Sequence, residues 1–184
     1  FEIKNFYNYE EINNFDIVFL LGYTRIVKKN FLERNKLTLV IHESDLPKGK
    51  GFSPIQWQLL EGKSNINICL IEAKEKVDSG DIFLKKSINF NGTELYDEIR
   101  EKQAIASFEI IKEFLKKYPF LKPKKQVGEE SIYLKRTKND SELNIQKSIE
   151  ENFNLLRIGN NEEWPSFFYY KGVKFLIKIY KEVS

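Results

Sequence analysis

Four short apolar runs punctuate the first half of the chain. Residues 16–21, 37–41 and 66–73 are nearly continuous in apolar character, as strands buried on both faces are, and residues 82–90 alternate in part. Residues 1–6 alternate weakly and read as a further strand, and residues 9–15 as a short helix or turn. Helical patterns separate the runs. Residues 26–35 suit a short helix. Residues 53–62 suit one with punctuation at both ends, Ser53 capping, Pro54 in the first turn and Gly62 at the C′ position. A long helix follows, reaching residue 117, with Leu95, Ile99, Ile105, Phe108, Ile111, Phe114 and Leu115 as its apolar stripe; Tyr118-Pro119 ends it. Buried strands alternating with helices predict an α/β fold whose sheet is largely parallel at its centre. The Pro/Lys stretch 119–125 reads as a linker between a core of residues 1–118 and a small α+β module, 126–184. That module is expected to hold a helix near 146–157 and a hairpin of 166–170 and 173–180 turned at Lys171-Gly172.

Composition narrows the picture only in places. The 41% apolar content suffices for a core, and a net charge of +3 over 184 residues is too weak an electrostatic footprint to argue for nucleic acid. The single cysteine, Cys69, lies inside an apolar run and reads as a buried, inert thiol. No apolar run reaches the ~18 residues of a membrane span, and no signal peptide is visible, so the cytoplasm is the expected compartment. The chain has no methionine and begins at Phe1, so an N-terminal portion is expected to precede it.

The candidate chemistry centres on the only histidine, His42, which ends the second apolar run and meets a Pro/Gly/Lys loop (Pro47, Lys48, Gly49, Lys50, Gly51). Open α/β sheets bind ligands at the carboxyl ends of their strands. A lone histidine there also suits a satisfied structural residue, but glycines that admit a close ligand and lysines that meet an anion favour function. Asp78, in a Val77-Asp78-Ser79-Gly80 turn, reads as a turn-former, or with His42 as an acid/base pair. One His and one Cys without ligand spacing give no metal site, and no Gly-x-Gly-x-x-Gly, Walker or nucleophile-elbow motif is present.

The segment His42, Ser44, Leu46, Pro47, then Gly51 and Pro54-Ile55-Gln56, and later Asp78-Ser79-Gly80-Asp81, resembles the signature of the 10-formyltetrahydrofolate-dependent formyltransferases. That family includes methionyl-tRNA formyltransferase, glycinamide ribonucleotide transformylase and the sugar N-formyltransferases. The resemblance covers about residues 16–90 and implies a Rossmann-like core with 10-formyltetrahydrofolate as cosubstrate. It implies His42 and Asp78 as the catalytic pair. Arg25, Ile26 and Val27 would line the pterin pocket, with the Lys76–Val77 backbone closing its other side. Ser44, Lys48, Lys50 and Arg136 would stand on the acceptor side.

Residues 133–143 and 155–168 more weakly resemble the extension found in the transfer-RNA and sugar enzymes and absent from the purine enzyme. The extension is shorter than the transfer-RNA enzyme's barrel, and the 40–51 motif looks most like sugar-type members. The expected acceptor is therefore the amine of a nucleotide-linked amino sugar, with nucleic acid and membrane disfavoured and a homodimer left open. One position departs from the family: the Asn two residues before the histidine is Val40. Two alternatives stay in view: a methionyl-tRNA formyltransferase relative and, because of Val40, a folate- or sugar-nucleotide-binding protein without catalysis.

Overall fold

The computed structural model describes residues 2–23 and 25–182. In chain order the strands are β1 (Val18–Leu20), β2 (Thr38–His42), β3 (Lys50–Gly51), β4 (Asn65–Glu72), β5 (Ile82–Asn89), β6 (Ile132–Tyr133), β7 (Ser166–Tyr170) and β8 (Val173–Ile177). The helices are α1 (Lys29–Glu33), α2 (Pro54–Leu60), α3 (Tyr96–Lys117) and α4 (Ile149–Arg157). Residues 2–6 form no strand, and 9–15 contribute one 3-10 turn, Tyr9–Glu11. Residue 1, part of the expected first strand, lies outside the described residues.

The four apolar runs form one sheet in the order β1-β2-β4-β5, and the chain is α/β as expected. Its pairing is mixed rather than largely parallel. β1 and β2 run parallel, because α1 carries the chain back between them, whereas β2–β4 and β4–β5 are antiparallel. Residues 73–81, between β4 and β5, hold no helix, and a connection without a crossover element returns the chain antiparallel.

The continuous apolar character of β4 is explained by its two covered faces. Ile66, Ile68 and Leu70 join Leu39 against Ile99, Ala106, Ile110 and Phe114 of α3, while Cys69 and Ile71 pack with Leu46 and Ile82 on the other side. Cys69 is buried, and burial pushes its thiol up to about 11. On α3 the buried stripe differs from the expected one: Ile105 and Phe108 are more than half exposed and Ala106 and Ile110 are buried. Phe108 stands about half a turn round the helix from Ile99, whereas Ala106, Ile110 and Phe114 return to the face of Ile99. Phe114, fully buried, meets Phe19, Phe83 and Tyr118 with ring centroids 5.9, 5.2 and 5.8 Å away. Ser53 does not cap α2; it takes a left-handed φ of 51° and its side chain makes no cap bond.

Residues 126–182 fold against this core. Lys124 bridges Ile82 by two backbone hydrogen bonds, β6 adds parallel to β3, and Ile158 enters the main apolar cluster. The expected helix is α4, which Ser148 and Glu151 cap reciprocally. The expected hairpin is β7–β8. Arg157, 3% exposed, closes this part onto the core through Glu94, its Nη1 3.4 Å from Oε2. Among the described residues no helix is long and apolar enough to cross a membrane.

Two stability measurements check this packing. Phe114→Ala is expected to cost about 3–5 kcal/mol in denaturant unfolding, since it empties the centre of an aromatic cluster. The second concerns Glu94. Burial would raise its carboxyl, but Lys102 and the Asn91 and Gly92 N–H groups outweigh burial and hold it at about 2, against an ordinary 4.5. A depressed folded-state value gives stability that is present above pH 4.5 and lost as pH falls from there toward 2. Glu94→Gln is expected to remove about 2 kcal/mol of acid sensitivity, read as the difference between unfolding free energies at pH 6 and pH 3.

Candidate active site

β2 delivers His42 at its carboxyl end, 5% exposed. The turn between β4 and β5 brings Asp78 to it, with Oδ1 3.3 Å from His42 Nδ1. On the other side of the ring, Nε2 stands 2.7 Å from the Gly49 carbonyl oxygen. A carbonyl only accepts, so Nε2 carries a proton; an ionised carboxylate also only accepts, so both bonds are complete only when the ring carries two protons. The second oxygen of Asp78 accepts from Gly51 N–H at 2.8 Å. The Gly-rich loop and the aspartate turn are thereby joined through the carboxylate itself.

The local backbone explains these residue types. Asp78 has φ 51°, a left-handed conformation that Asp tolerates better than most residues. At Gly80 a Cβ would lie 1.7 Å from the Glu72 carbonyl oxygen, so only glycine lets the turn close against the end of β4. At Gly51, with φ 99°, a Cβ would lie 2.3 Å from the Tyr133 carbonyl oxygen, so only glycine admits β6 beside β3.

A cleft of about 90 Å³ opens beside Asp78. Arg25, Ile26, Val27 and Val77 line it, bringing four of the five expected cosubstrate residues to one place; Lys76 is not part of its wall. Val40 and Ile71 add apolar wall, Tyr23 adds a phenol from the same loop as Arg25, and Lys74 adds a polar group that the sequence did not single out. Burial pushes the Tyr23 phenol up. Asp78, not His42, faces this cleft, so the imidazole stands behind the carboxylate.

The expected acceptor-side residues are dispersed. Ser44 is buried and donates to the Lys48 carbonyl at 2.7 Å, bracing its own loop. Lys50 is 6% exposed, with its ammonium paired to Glu130. Lys48 is exposed and borders a separate polar hollow with Asp45, Gln58 and Lys63. Arg136 lies over the Trp57 ring at 5.8 Å and donates to the Asp140 carbonyl oxygen, not to its carboxylate, which caps Thr137 instead. Glu43, beside the histidine, has its carboxyl pushed up by burial, against which the His42 charge and a hydrogen bond from Gln103 act.

Comparison with known proteins places the chain in a family. A methionyl-tRNA formyltransferase from Thermodesulfovibrio yellowstonii is 31% identical over 155 residues, which cover 83% of this chain and 50% of that protein. The chain thus spans about half the length of the curated relatives it matches. Among solved structures, a methionyl-tRNA formyltransferase from Clostridium thermocellum superposes with a TM-score of 0.76 at 25% identity, over 91% of this chain and 73% of that one. A sugar N-formyltransferase from Shewanella shares the fold with a TM-score of 0.70 at 14% identity, over 93% and 71% of the two chains. The formyl transferase family pattern matches residues 4–115, which span both His42 and Asp78, and the chain belongs to that family.

Proposed function

We propose that this protein transfers a formyl group from 10-formyltetrahydrofolate to a primary amine, and that the amine belongs to a nucleotide-linked amino sugar. The observation that carries the reading is Asp78 at the wall of the cleft bounded by Arg25, Ile26 and Val27, held from behind by His42. The acceptor nitrogen attacks the formyl carbon and a tetrahedral oxyanion forms. Breakage of the bond from that carbon to N10 then releases tetrahydrofolate, and the proton lost by the amine reaches N10. Asp78, facing the cleft and hydrogen-bonded to Gly51 N–H, takes that proton first, directly or through water. His42, behind the carboxylate, holds it toward the cleft from Nδ1 while its Nε2–H is anchored on the Gly49 carbonyl, so the imidazole acts on the reaction through Asp78.

Support for the sugar acceptor comes from the form of the 40–51 motif and the weak net charge of +3. The 31% identity to a methionyl-tRNA formyltransferase favours a second reading, with charged initiator transfer RNA as acceptor. Val40 favours a third, binding without turnover, since valine supplies no hydrogen bond and losing one oxyanion donor costs about 3–4 kcal/mol.

The test is spectrophotometric detection of tetrahydrofolate release with a panel of 4-amino-sugar nucleotides. Turnover is expected, and His42→Ala and Asp78→Asn should each reduce kcat by about 100-fold or more. Folate binding without turnover on any amine would establish the binding reading. Formylation of charged transfer RNA, falling steeply with salt, would replace the sugar with the nucleic acid.

A further inference from the structure

A segment that the reaction itself does not use grips both loops around His42. Residues 126–133 run across the site. Ser131 Oγ accepts from Gly49 N–H at 2.8 Å, and the Ser131 carbonyl accepts from Lys50 N–H at 2.9 Å. The Tyr133 carbonyl accepts from Phe52 N–H at 3.1 Å, and Glu130 pairs with the buried Lys50 ammonium. These bonds fix the peptide whose carbonyl receives His42 Nε2. The other loop is held by one side chain. Gln126 Nε2 donates to the carbonyls of both Asp78 and Gly80, each at 2.8 Å.

The orientation of that amide is forced. Two carbonyl oxygens can only accept, so the NH2 group must face them, and Oε1 is then left buried without a partner among the described residues. Buried acceptors are rarely left unpaired, so a side chain that keeps this arrangement is held there for what its nitrogen does. What the nitrogen does is span the Asp78-Ser79-Gly80 turn and pin a left-handed aspartate whose carboxylate reaches the imidazole.

We propose that Gln126 is a positioning residue for formyl transfer: by bonding the carbonyls on either side of the turn it sets the Asp78 carboxylate against His42 and the cleft. The inference rests on the proposed formyl transfer for its kinetic consequence but not for its structural one. Gln126 acts on the aspartate's backbone and does not line the cleft. Its loss therefore lowers kcat more than it raises KM for the folate. The requirement is for hydrogen-bond donors and not for volume. An isosteric carboxylate, which places an acceptor against two acceptors, should fail at neutral pH and recover in part when protonation gives it one donor.

The experiment uses Gln126→Ala and Gln126→Glu, with two readouts. The chain has one histidine, so the imidazole nitrogens of His42 give a single, unambiguous set of 15N signals. The expected result is a change in the Nδ1 signal in both variants, with kcat lowered at least tenfold and KM for 10-formyltetrahydrofolate within about threefold. Part of the Gln126→Glu loss should be recovered as pH falls. Gln126→Glu preserves volume and covers the case in which Gln126→Ala does not fold. Wild-type-like His42 signals and kcat in Gln126→Glu would overturn the proposal and leave Gln126 as packing. A displaced His42 signal in a protein whose wild type releases no tetrahydrofolate would uphold the positioning role and overturn formyl transfer.

Discussion

An imidazole buried to 5% exposure needs partners for both of its nitrogens, and here both partners are acceptors. That requirement organises the site. The Gly49 carbonyl and the Asp78 carboxylate lie on loops 29 positions apart in sequence, the first carrying only the two-residue β3 and the second only a turn. Two constraints bring them together. The carboxylate spends its second oxygen on Gly51 N–H, joining the loops directly, and the 126–133 segment bonds to each of them from outside. A polar group removed from water without such partners would be strongly destabilising, so the network is needed for folding.

The scaffold beneath depends on β4 being covered twice. Its Ile66, Ile68 and Leu70 face α3 and its Cys69 and Ile71 face the cluster under the loop that starts at Leu46. The sheet end that carries His42 is thus clamped between two apolar layers, while the loops beyond it are held by hydrogen bonds. Rigidity below and polar connection above are what a preorganised site requires.

The sequence made the centre of the site legible because its signals are local. A lone histidine ending an apolar run, a glycine-rich loop behind it and an aspartate in a Gly-containing turn are all visible within a few residues. The strands were legible for the same reason, since continuous apolar character over five to eight residues survives without tertiary context. What could not be read is set by distance. The bonds from Glu130 to Lys50 and from Ser131 to Gly49 cross 80 and 82 positions, and β3 and β6 are two residues each, too short to show a period. Lys50 and Ser44 looked like free acceptor-side groups because composition cannot show that a partner on the far side of the fold, or a neighbouring carbonyl, has already engaged them. On α3, bulk misled where angle decides. Phe108 is large and faces water; Ala106 is small and is buried.

Val40 has a structural consequence beyond the loss of a donor. It packs against two apolar clusters at once, one containing Leu20 and Phe31 and one containing Leu46 and Ile71, and it also lines the cleft. An asparagine there would have to place its amide between those clusters, where an unpaired polar group is costly. The cleft wall is therefore apolar at this position, where the family pattern has an amide. Lys74 is shared between Glu72 and Asp81 at 3.7 Å from each, so its charge is balanced by carboxylates at longer range than a close ion pair. In the proposed transfer, a negative charge developing in this cleft would meet the Lys74 ammonium on the wall and not a neutral donor at position 40.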